Sequence, residues 1–248
     1  MKKYAIISDI HGNCGALEAV LADIRTRAVR DIINLGDALY GPLDPSGTAE
    51  LIVDLNIRSV RGNEDRMICS ARENELSPTL QYVRSRLKRE QVEWLSCLPC
   101  TATIDNVLFA CHGSPRSDTE YFFWHINPDG KVLRNGCEME KMVKKISCRV
   151  VLCGHDHVPR SLFLNNGTLV VDPGSVGLQA FQDETPHRHA MQNHSPHARY
   201  TILTEGNGTW HAEHQEVVYD WEAASSLAGK NGRADWAFWL RTGQVKAD

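Results

Sequence analysis

Short apolar runs alternate with amphipathic stretches over the first 60 residues of the chain. The runs that predict buried strands are residues 4–7, 31–35 and 57–60. Between them, residues 17–24 and 46–55 repeat apolar side chains at helical spacing, and Asn13 and Ser46 are suited to cap the two helices. An order of strand, helix, strand, helix and strand predicts a parallel sheet, so we expect an α/β fold.

The middle of the chain is more helical, and strand signals return after it. Ser77-Pro78 is a favourable helix start, and residues 84–95 predict a charged amphipathic helix. The later strands are predicted at residues 107–111, 150–153, 169–171, 200–203 and 209–218, the last two joined by a hairpin turn at 206–208.

The C-terminal part predicts two more helices. Asp220 is suited to cap a helix that ends near Gly229, and residues 236–240 form a short aromatic helix. We expect this last helix to dock on the body of the protein, with a subunit contact as the alternative. Since no low-complexity linker or internal repeat divides the sequence, we expect a single domain over residues 1–248, with a small helical cap-like segment at about 65–100.

Composition narrows the function classes. The formal net charge of -4 argues against a general nucleic-acid surface. The apolar stretch after the N-terminal lysines is too short for a signal peptide, and no run approaches the roughly 18 apolar residues of a membrane span, so a cytoplasmic protein without membrane contact is expected. The eight cysteines are then expected to be reduced thiols, and Cys97-Leu-Pro-Cys100, without a second such motif, favours structural cysteines over a zinc or redox site.

Five polar clusters follow five of the apolar runs. They are Asp9-Ile10-His11, Gly36-Asp37, Gly62-Asn63, His112-Gly113 and Gly154-His155-Asp156-His157. In an open α/β sheet, residues just past the carboxyl ends of the strands line the ligand crevice, so these distant side chains can converge. In the two clusters with D-x-H or H-x-H spacing, the extended i, i+2 pair directs both side chains the same way.

Carboxylates, an amide oxygen and imidazoles are suited to a pair of metal ions. Two divalent ions with two carboxylates and a bridging hydroxide retain one net positive charge, which would attract an anionic phosphate ester. Four imidazoles disfavour Mg and Ca, which prefer oxygen ligands. Two divalent transition-metal ions are therefore expected, with Mn, Fe, Zn, Co and Ni as the candidates.

At these clusters the chain resembles the calcineurin-like metallophosphoesterase superfamily, whose pattern is D-x-H, G-D, G-N-H-[DE], H and G-H-x-H. It is most similar to the compact bacterial and archaeal phosphodiesterases of that group, and the likeness covers nearly the whole chain. The resemblance implies a metal-dependent phosphoesterase with a four-layer α-β-β-α sandwich and two mixed β-sheets.

The resemblance also implies a ligand set. The first ion would be bound by Asp9, His11 and His157, the second by Asn63, His112 and His155, and Asp37 would bridge the two as a catalytic carboxylate. A hydroxide that bridges both ions would attack phosphorus in line.

The chain departs from the family pattern at Glu64, which stands where the family has a catalytic His. A carboxyl beside two cations should have a lowered pKa and be a poor general acid. We therefore expect a preference for esters with good leaving groups, such as aryl phosphodiesters and nucleotide or pyrophosphate-linked compounds. A solvated Glu64 that faces away from the site is the alternative.

Other polar residues allow two interpretations each. The His-rich segment 187–197, with histidines at 187, 189, 194 and 197, predicts a mobile solvated loop that borders the site, with a surface metal-binding loop as the alternative. The basic residues between Arg66 and Arg89 predict a solvated face, or else a cap that holds a polyphosphate. Tyr40 is suited either to stack on a base or to pack in the core.

The function expected is a phosphodiesterase or nucleotide phosphohydrolase that acts on a small phosphate ester. Two alternatives stay open: a non-catalytic scaffold on the same fold, and a nuclease. The complete set of seven ligands favours an enzyme over a scaffold, and the acidic net charge favours a small substrate over nucleic acid. A homo-oligomer is compatible with the sequence.

Overall fold

The computed structural model describes residues 2–72, 74 and 76–246. The elements of the first half are β1 (Lys3–Ile7), α1 (Cys14–Thr26), β2 (Asp31–Asn34), α2 (Pro45–Asp54), β3 (Arg58–Ser59), α3 (Asn63–Ser70), α4 (Pro78–Arg86), α5 (Arg89–Cys97), β4 (Thr101–Ile104) and β5 (Leu108–Cys111). Those of the second half are β6 (Trp124–Asn127), β7 (Gly130–Leu133), α6 (Gly136–Val143), β8 (Val150–Leu152), β9 (Arg160–Phe163), β10 (Leu169–Asp172), β11 (Ala180–Asp183), β12 (His189–Gln192), β13 (Ala198–Gly206), β14 (Thr209–Val217), α7 (Trp221–Lys230) and α8 (Ala234–Thr242).

Two five-stranded mixed sheets form the centre of the fold. The first has the order β14-β13-β1-β2-β3. In it, β1, β2 and β3 are parallel as predicted, and β13 pairs antiparallel with both β1 and β14. The second has the order β4-β5-β8-β10-β9, in which β5, β8 and β10 are parallel and the two edge strands are antiparallel. Two short hairpins, β6–β7 and β11–β12, lie outside these sheets.

The alternation of side chains along β1 connects two separate cores. Tyr4 and Ile6 point between the sheets, where they pack with residues of β2, β5, β8 and β10. Ala5 and Ile7 point the other way, into a core shared with the helices that cover the first sheet. On the far side, α6 covers the outer face of the second sheet. The layers therefore run helix, sheet, sheet, helix, which confirms the predicted α-β-β-α sandwich.

Helix starts follow the capping residues in most cases. The side chains of Asn13, Ser77 and Asp220 each accept a backbone N–H in the first turn of α1, α4 and α7, as predicted. The prediction of Ser46 as the cap of α2 is wrong. Asp44 caps this helix, because Pro45 fits the first helical position, where its missing N–H costs no hydrogen bond.

The single helix predicted at residues 84–95 is also wrong, because the chain breaks at Leu87 and Lys88. Both residues have extended backbone, with ψ of 138° and 156°, and separate α4 from α5. Apolar residues of the segment predicted as a cap, Ile68 of α3, Leu80 of α4 and Leu95 of α5, are buried in the same core as α1.

The C-terminal helix α8 docks on the body, as expected. Trp236 and Leu240 are buried in the helix-side core, and α8 packs closely against α7. Across the described residues, no helix is both long enough and apolar enough to cross a membrane.

The cysteines are free thiols, as predicted for the chain. Cys111 and Cys153 lie buried at the ends of β5 and β8, whereas Cys97 and Cys100 are exposed.

Candidate metal centre

The seven side chains predicted as ligands meet at one edge of the sandwich. The parallel strands of both sheets end there, and each predicted cluster begins within a few residues of a strand end. Three groups have ligand atoms within 4.8 Å of one another: Asp9, His11 and His157; Asp37, His112 and His155; and His11, Asp37 and Glu64. Asn63, the first residue of α3, lies beside the second group.

In the first group, two imidazole nitrogens face each other across a carboxylate. His157 Nε2 lies 3.2 Å from Asp9 Oδ1, and His11 Nε2 lies 3.1 Å from His157 Nε2. The other ring nitrogens are held by backbone carbonyls, His11 Nδ1 by Tyr40 O at 3.0 Å and His157 Nδ1 by Leu178 O at 2.7 Å. A carbonyl only accepts, so both Nδ1 atoms carry a proton, and in the neutral rings both Nε2 atoms present a lone pair.

The second group is organised in the same way. His112 Nδ1 donates to Leu35 O at 2.9 Å, which leaves Nε2 unprotonated in the neutral ring. This Nε2 lies 3.2 Å from Asp37 Oδ2 and 3.0 Å from Asn63 Oδ1. The His155 ring lies 5.0 Å from that of His112.

Tyr121 fixes the plane of the His155 ring. The two rings are stacked, with centroids 4.6 Å apart and an interplanar angle of 17°. Tyr121 is itself held by His189, whose Nδ1 donates to His187 O and whose Nε2 therefore accepts from the Tyr121 hydroxyl at 2.9 Å. This contact was not predicted, because Tyr121 lies in no recognisable motif.

Buried carboxylates set the electrostatics of the site. Burial alone would lower the pKa of His112, but Asp37 and Asp9 raise it to about 10. Burial likewise opposes ionisation of Asp9, yet the neighbouring His157 and His112 hold its pKa well below the usual range. Burial lowers the pKa of His155 to about 3, so this ring stays neutral. The site therefore attracts positive charge.

These features fit bound cations. In the neutral rings, the facing Nε2 atoms of His11 and His157 repel each other unless a proton or a metal ion lies between them. Asp9 Oδ1 is buried without a hydrogen-bond partner among the described residues. Asp9 and Asp37 add two buried carboxylates, which favour a cation at the site. Nitrogen and oxygen donors at this spacing are the ligand types of divalent transition metals.

The backbone at the site is left-handed at five of the seven positions. These are Asp9, His11, Asp37, His155 and His157, with φ between 48° and 73°. Non-glycine residues adopt this region rarely, and such residues concentrate at functional sites. The sharp turn after each strand is what aims the side chains into the same space.

Glu64 faces the site and not the solvent, so the alternative of an outward side chain is wrong. Its Oε2 lies 3.1 Å from His11 Nδ1 but is not hydrogen-bonded to it, since that N–H points to Tyr40 O. The Glu64 backbone N–H donates to Asp37 Oδ1 at 2.9 Å. Burial raises the pKa of the Glu64 carboxyl to about 7, whereas bound cations would lower it.

A cleft of about 460 Å³ opens onto these residues. Its lining also contains residues that were not predicted from the sequence: Phe181, Arg233, Trp236 and Trp239. The basic residues between Arg66 and Arg89 do not line it. Arg66, for example, is bound to Asp118 through two hydrogen bonds of 2.7 and 3.1 Å.

The His-rich segment 187–197 is only partly the solvated loop that its composition predicted, because residues 189–192 form strand β12. Residues 180–192 form the β11–β12 hairpin, and His189 is buried against Tyr121. The hairpin borders the cleft through Phe181, Gln182 and Asp183 of β11, whereas none of the described lining residues lies in the segment 187–197 that was predicted to border the site.

Comparisons with known proteins agree with this geometry. The family model described as calcineurin-like phosphoesterase superfamily domain matches residues 2–193. The chain is 30% identical over 198 residues to the uncharacterized protein MJ0912 of Methanocaldococcus jannaschii, which spans 70% of this chain and 75% of the relative.

Two crystal structures share the fold over nearly the whole chain. A metallophosphoesterase from Sphaerobacter thermophilus superposes with a TM-score of 0.76 at 25% identity, over 98% of this chain and 100% of that one. The hypothetical protein PH1004 from Pyrococcus horikoshii OT3 gives a TM-score of 0.76 at 21% identity, over 99% and 100%. The match of the family model over most of the length, on a site built of buried Asp and His clusters, shows that the chain belongs to the calcineurin-like phosphoesterase superfamily of metal-dependent hydrolases.

Proposed function

We propose that this hydrolase binds two divalent transition-metal ions and cleaves phosphodiester or nucleotide and pyrophosphate-type substrates. The observation that carries the proposal is the pair of Nε2 atoms of His11 and His157, held 3.1 Å apart beside the buried Asp9 carboxylate. Two facing imidazole nitrogens need a proton or a metal ion between them, and the nitrogen and carboxylate donors gathered here suit a divalent transition metal.

Each ion has a distinct set of donors. The first would be held by Asp9, His11 and His157, and the second by Asn63, His112 and His155, with Asp37 between them. When bound, the ions supply an activated water and neutralise the charge that develops on the phosphoryl group. Mn, Fe, Zn, Co and Ni all suit these donors, and availability selects among them.

The surrounding residues hold the ligands in place. The carbonyls of Tyr40, Leu35 and Leu178 keep Nδ1 protonated, so that Nε2 is free as a ligand. The Glu64 N–H orients Asp37 by binding one of its oxygens, which leaves the other directed toward His112. A small ester fits a cleft of about 460 Å³, which favours a small substrate over a folded nucleic acid.

Glu64 determines which esters react fastest. The family's His at this position can protonate a leaving group, whereas a carboxyl next to two cations stays ionised and does not. We therefore expect aryl phosphodiesters and activated phosphate linkages to be cleaved faster than alkyl esters.

The leaving-group preference is tested by comparing Glu64→His with Glu64→Gln. Rates are measured on a series of phosphodiesters whose leaving groups differ in pKa. Glu64→His should flatten the dependence on leaving-group pKa, and Glu64→Gln should leave it steep. Equal slopes in all three proteins would refute the role of Glu64.

The metal proposal is tested by counting bound ions after loading with Mn²⁺, Fe²⁺ or Zn²⁺ and removing excess metal. We expect about two ions per chain in the wild type, and fewer in Asp37→Asn, with His211→Ala, an exposed histidine outside the site, as the matched control. Retention of no ion by the wild type would overturn the proposal. A parallel assay with single-stranded DNA separates a phosphodiesterase from a nuclease.

A further inference from the structure

One wall of the cleft is built from flat aromatic side chains. Trp236 and Trp239 come from α8, Phe181 from β11, and Tyr40 from the loop after β2. The residues of the candidate metal centre line the same cleft beside them. A phosphate ester bound there would therefore have its organic part against aromatic rings.

The aromatic residues contact the ligands of the first ion directly. The Trp236 ring meets His11 edge-on, with centroids 5.6 Å apart and an interplanar angle of 80°, and Phe181 meets His157 at 4.6 Å and 62°. Trp236 is almost fully buried, whereas Trp239, one turn away at 6.4 Å, is only partly buried. Trp239 therefore has ring surface available to a ligand.

Arg233 supplies positive charge at the same wall. Its guanidinium lies 5.2 Å from the Trp236 ring centroid. It is held by Asp235, which accepts from Nε at 2.9 Å and from Nη2 at 2.6 Å, and by Thr79 Oγ1, which accepts from Nη1 at 2.6 Å. A guanidinium has five N–H donors, so each Nη keeps one N–H for an anion. Among the described lining residues of the cleft, Arg233 is the sole Arg or Lys.

We propose that Trp239, Phe181 and Arg233 form a nucleotide subsite, in which a base stacks on the aromatic wall and Arg233 binds a phosphate other than the one that is cleaved. The inference rests on the proposed function and narrows it to nucleotides that carry a phosphate chain. Any nucleobase can stack on an aromatic side chain, and the planar guanidinium of arginine can donate two hydrogen bonds to phosphate oxygens.

Three ligands separate the two contacts when they are titrated calorimetrically into the Mn²⁺-loaded protein. Ribose 5-phosphate carries one phosphate and no base, AMP adds the base, and α,β-methylene-ADP adds a second phosphate that is not hydrolysed. Stacking should make AMP bind roughly 10- to 100-fold more tightly than ribose 5-phosphate. The second phosphate should add about a tenfold gain through the charge-assisted contact with Arg233.

Each contact is removed separately. Trp239→Leu should bring AMP to within about threefold of ribose 5-phosphate and leave the gain from the second phosphate intact. Arg233→Gln should abolish that gain and leave the effect of the base, with Arg233→Lys intermediate. The controls are Phe238→Leu and Arg241→Gln, which alter neighbouring positions of α8 outside the cleft lining and should change neither ratio.

Turnover of bis(p-nitrophenyl) phosphate distinguishes failure of the subsite from failure of the proposed function. If the wild type cleaves this ester but binds all three ligands within about twofold, the subsite is wrong and the phosphoesterase assignment stands. Equal changes in the cleft variants and their controls would also overturn the subsite. If a protein loaded with any of the candidate metals cleaves no ester, the proposed function itself fails.

Discussion

Gly62 is the position where a single methyl group should damage the site most directly. A Cβ at Gly62 would lie 2.1 Å from Asp37 Oδ1 and 2.5 Å from the Asp37 backbone nitrogen. Gly62 has φ of -85° and ψ of 176°, which any residue can adopt, so alanine would add no backbone strain there. The effect of Gly62→Ala is therefore purely one of space.

The expected size of the effect follows from the overlap. Ordinary contacts of a Cβ are 3.4–4 Å, so the loops that carry Gly62 and Asp37 must separate by about 1 Å. Overpacking of this kind costs about 1–3 kcal/mol, which corresponds to a fall in Tm of roughly 2–12 °C for a chain of this size. A displacement of about 1 Å at a reacting group can lower the rate by roughly 100-fold.

The assay combines thermal unfolding, metal counting and turnover of an aryl phosphodiester. Gly229→Ala is the matched control, because Gly229 lies in α7 and its added Cβ would meet Ala237 Cβ at an ordinary 3.8 Å. That control should be stabilised by about 0.5–1 kcal/mol and keep full activity. If Gly62→Ala keeps the Tm, the bound metal and the activity of the wild type, the close packing of these two loops is refuted.

Two further predictions concern the support of the site and the pH dependence of stability. Tyr121→Leu removes the stack on His155 and should weaken metal affinity about 10- to 100-fold, measured by competition with a chelator. Tyr121→Phe loses only the hydrogen bond to His189 and should bind metal nearly as tightly as the wild type. Equal losses of affinity in the two variants would contradict the role of the stack. Partial burial would raise the pKa of Asp23, but hydrogen bonds from Tyr200 and Arg27 lower it. The ionised Asp23 therefore stabilises the fold above a pH of about 4, and this stabilisation is lost as the pH falls through the folded-state pKa. Asp23→Asn should then lower the free energy of unfolding, measured with urea, by up to about 1 kcal/mol at pH 7 and by less at pH 3. An equal loss at both pH values would refute this.

The parallel strands β1, β2 and β3 and the convergence of the side chains that follow strands were predictable, because both depend on local sequence patterns. An apolar run that ends in an Asp or His marks a strand and the residue that follows it, and parallel strands then bring those residues to one edge. The cap of α2 was predictable as well, since Pro45 marks the first helical position and points to Asp44 before it. Ser46 is a suitable cap residue by type, but it follows Pro45 and therefore lies inside the helix.

The wall of the cleft could not be predicted in the same way. Phe181 and Arg233 are about 50 residues apart, and neither follows a strand of the two main sheets. Their positions depend on how the β11–β12 hairpin and α8 pack on the body, which no local pattern encodes. His189 illustrates the same point, because the polar composition of its segment predicts an exposed side chain, whereas His189 is buried and hydrogen-bonded to Tyr121.

The site and the sandwich are linked through the backbone of the ligand residues. A left-handed residue other than glycine costs about 1–2 kcal/mol, so five of them together approach the 5–15 kcal/mol by which a typical domain is stable. Hydrogen bonds between the loops oppose this cost: Asp9 N–H donates to Gly36 O and His11 N–H to Asp37 O, both at 3.0 Å, which extends the pairing of β1 and β2 past their ends. Because those same strands are buried on both faces, the loops cannot relax without disturbing two cores. The strands therefore do more than place the ligands, since their packing is what keeps the ligand backbone in a conformation that it would not adopt alone.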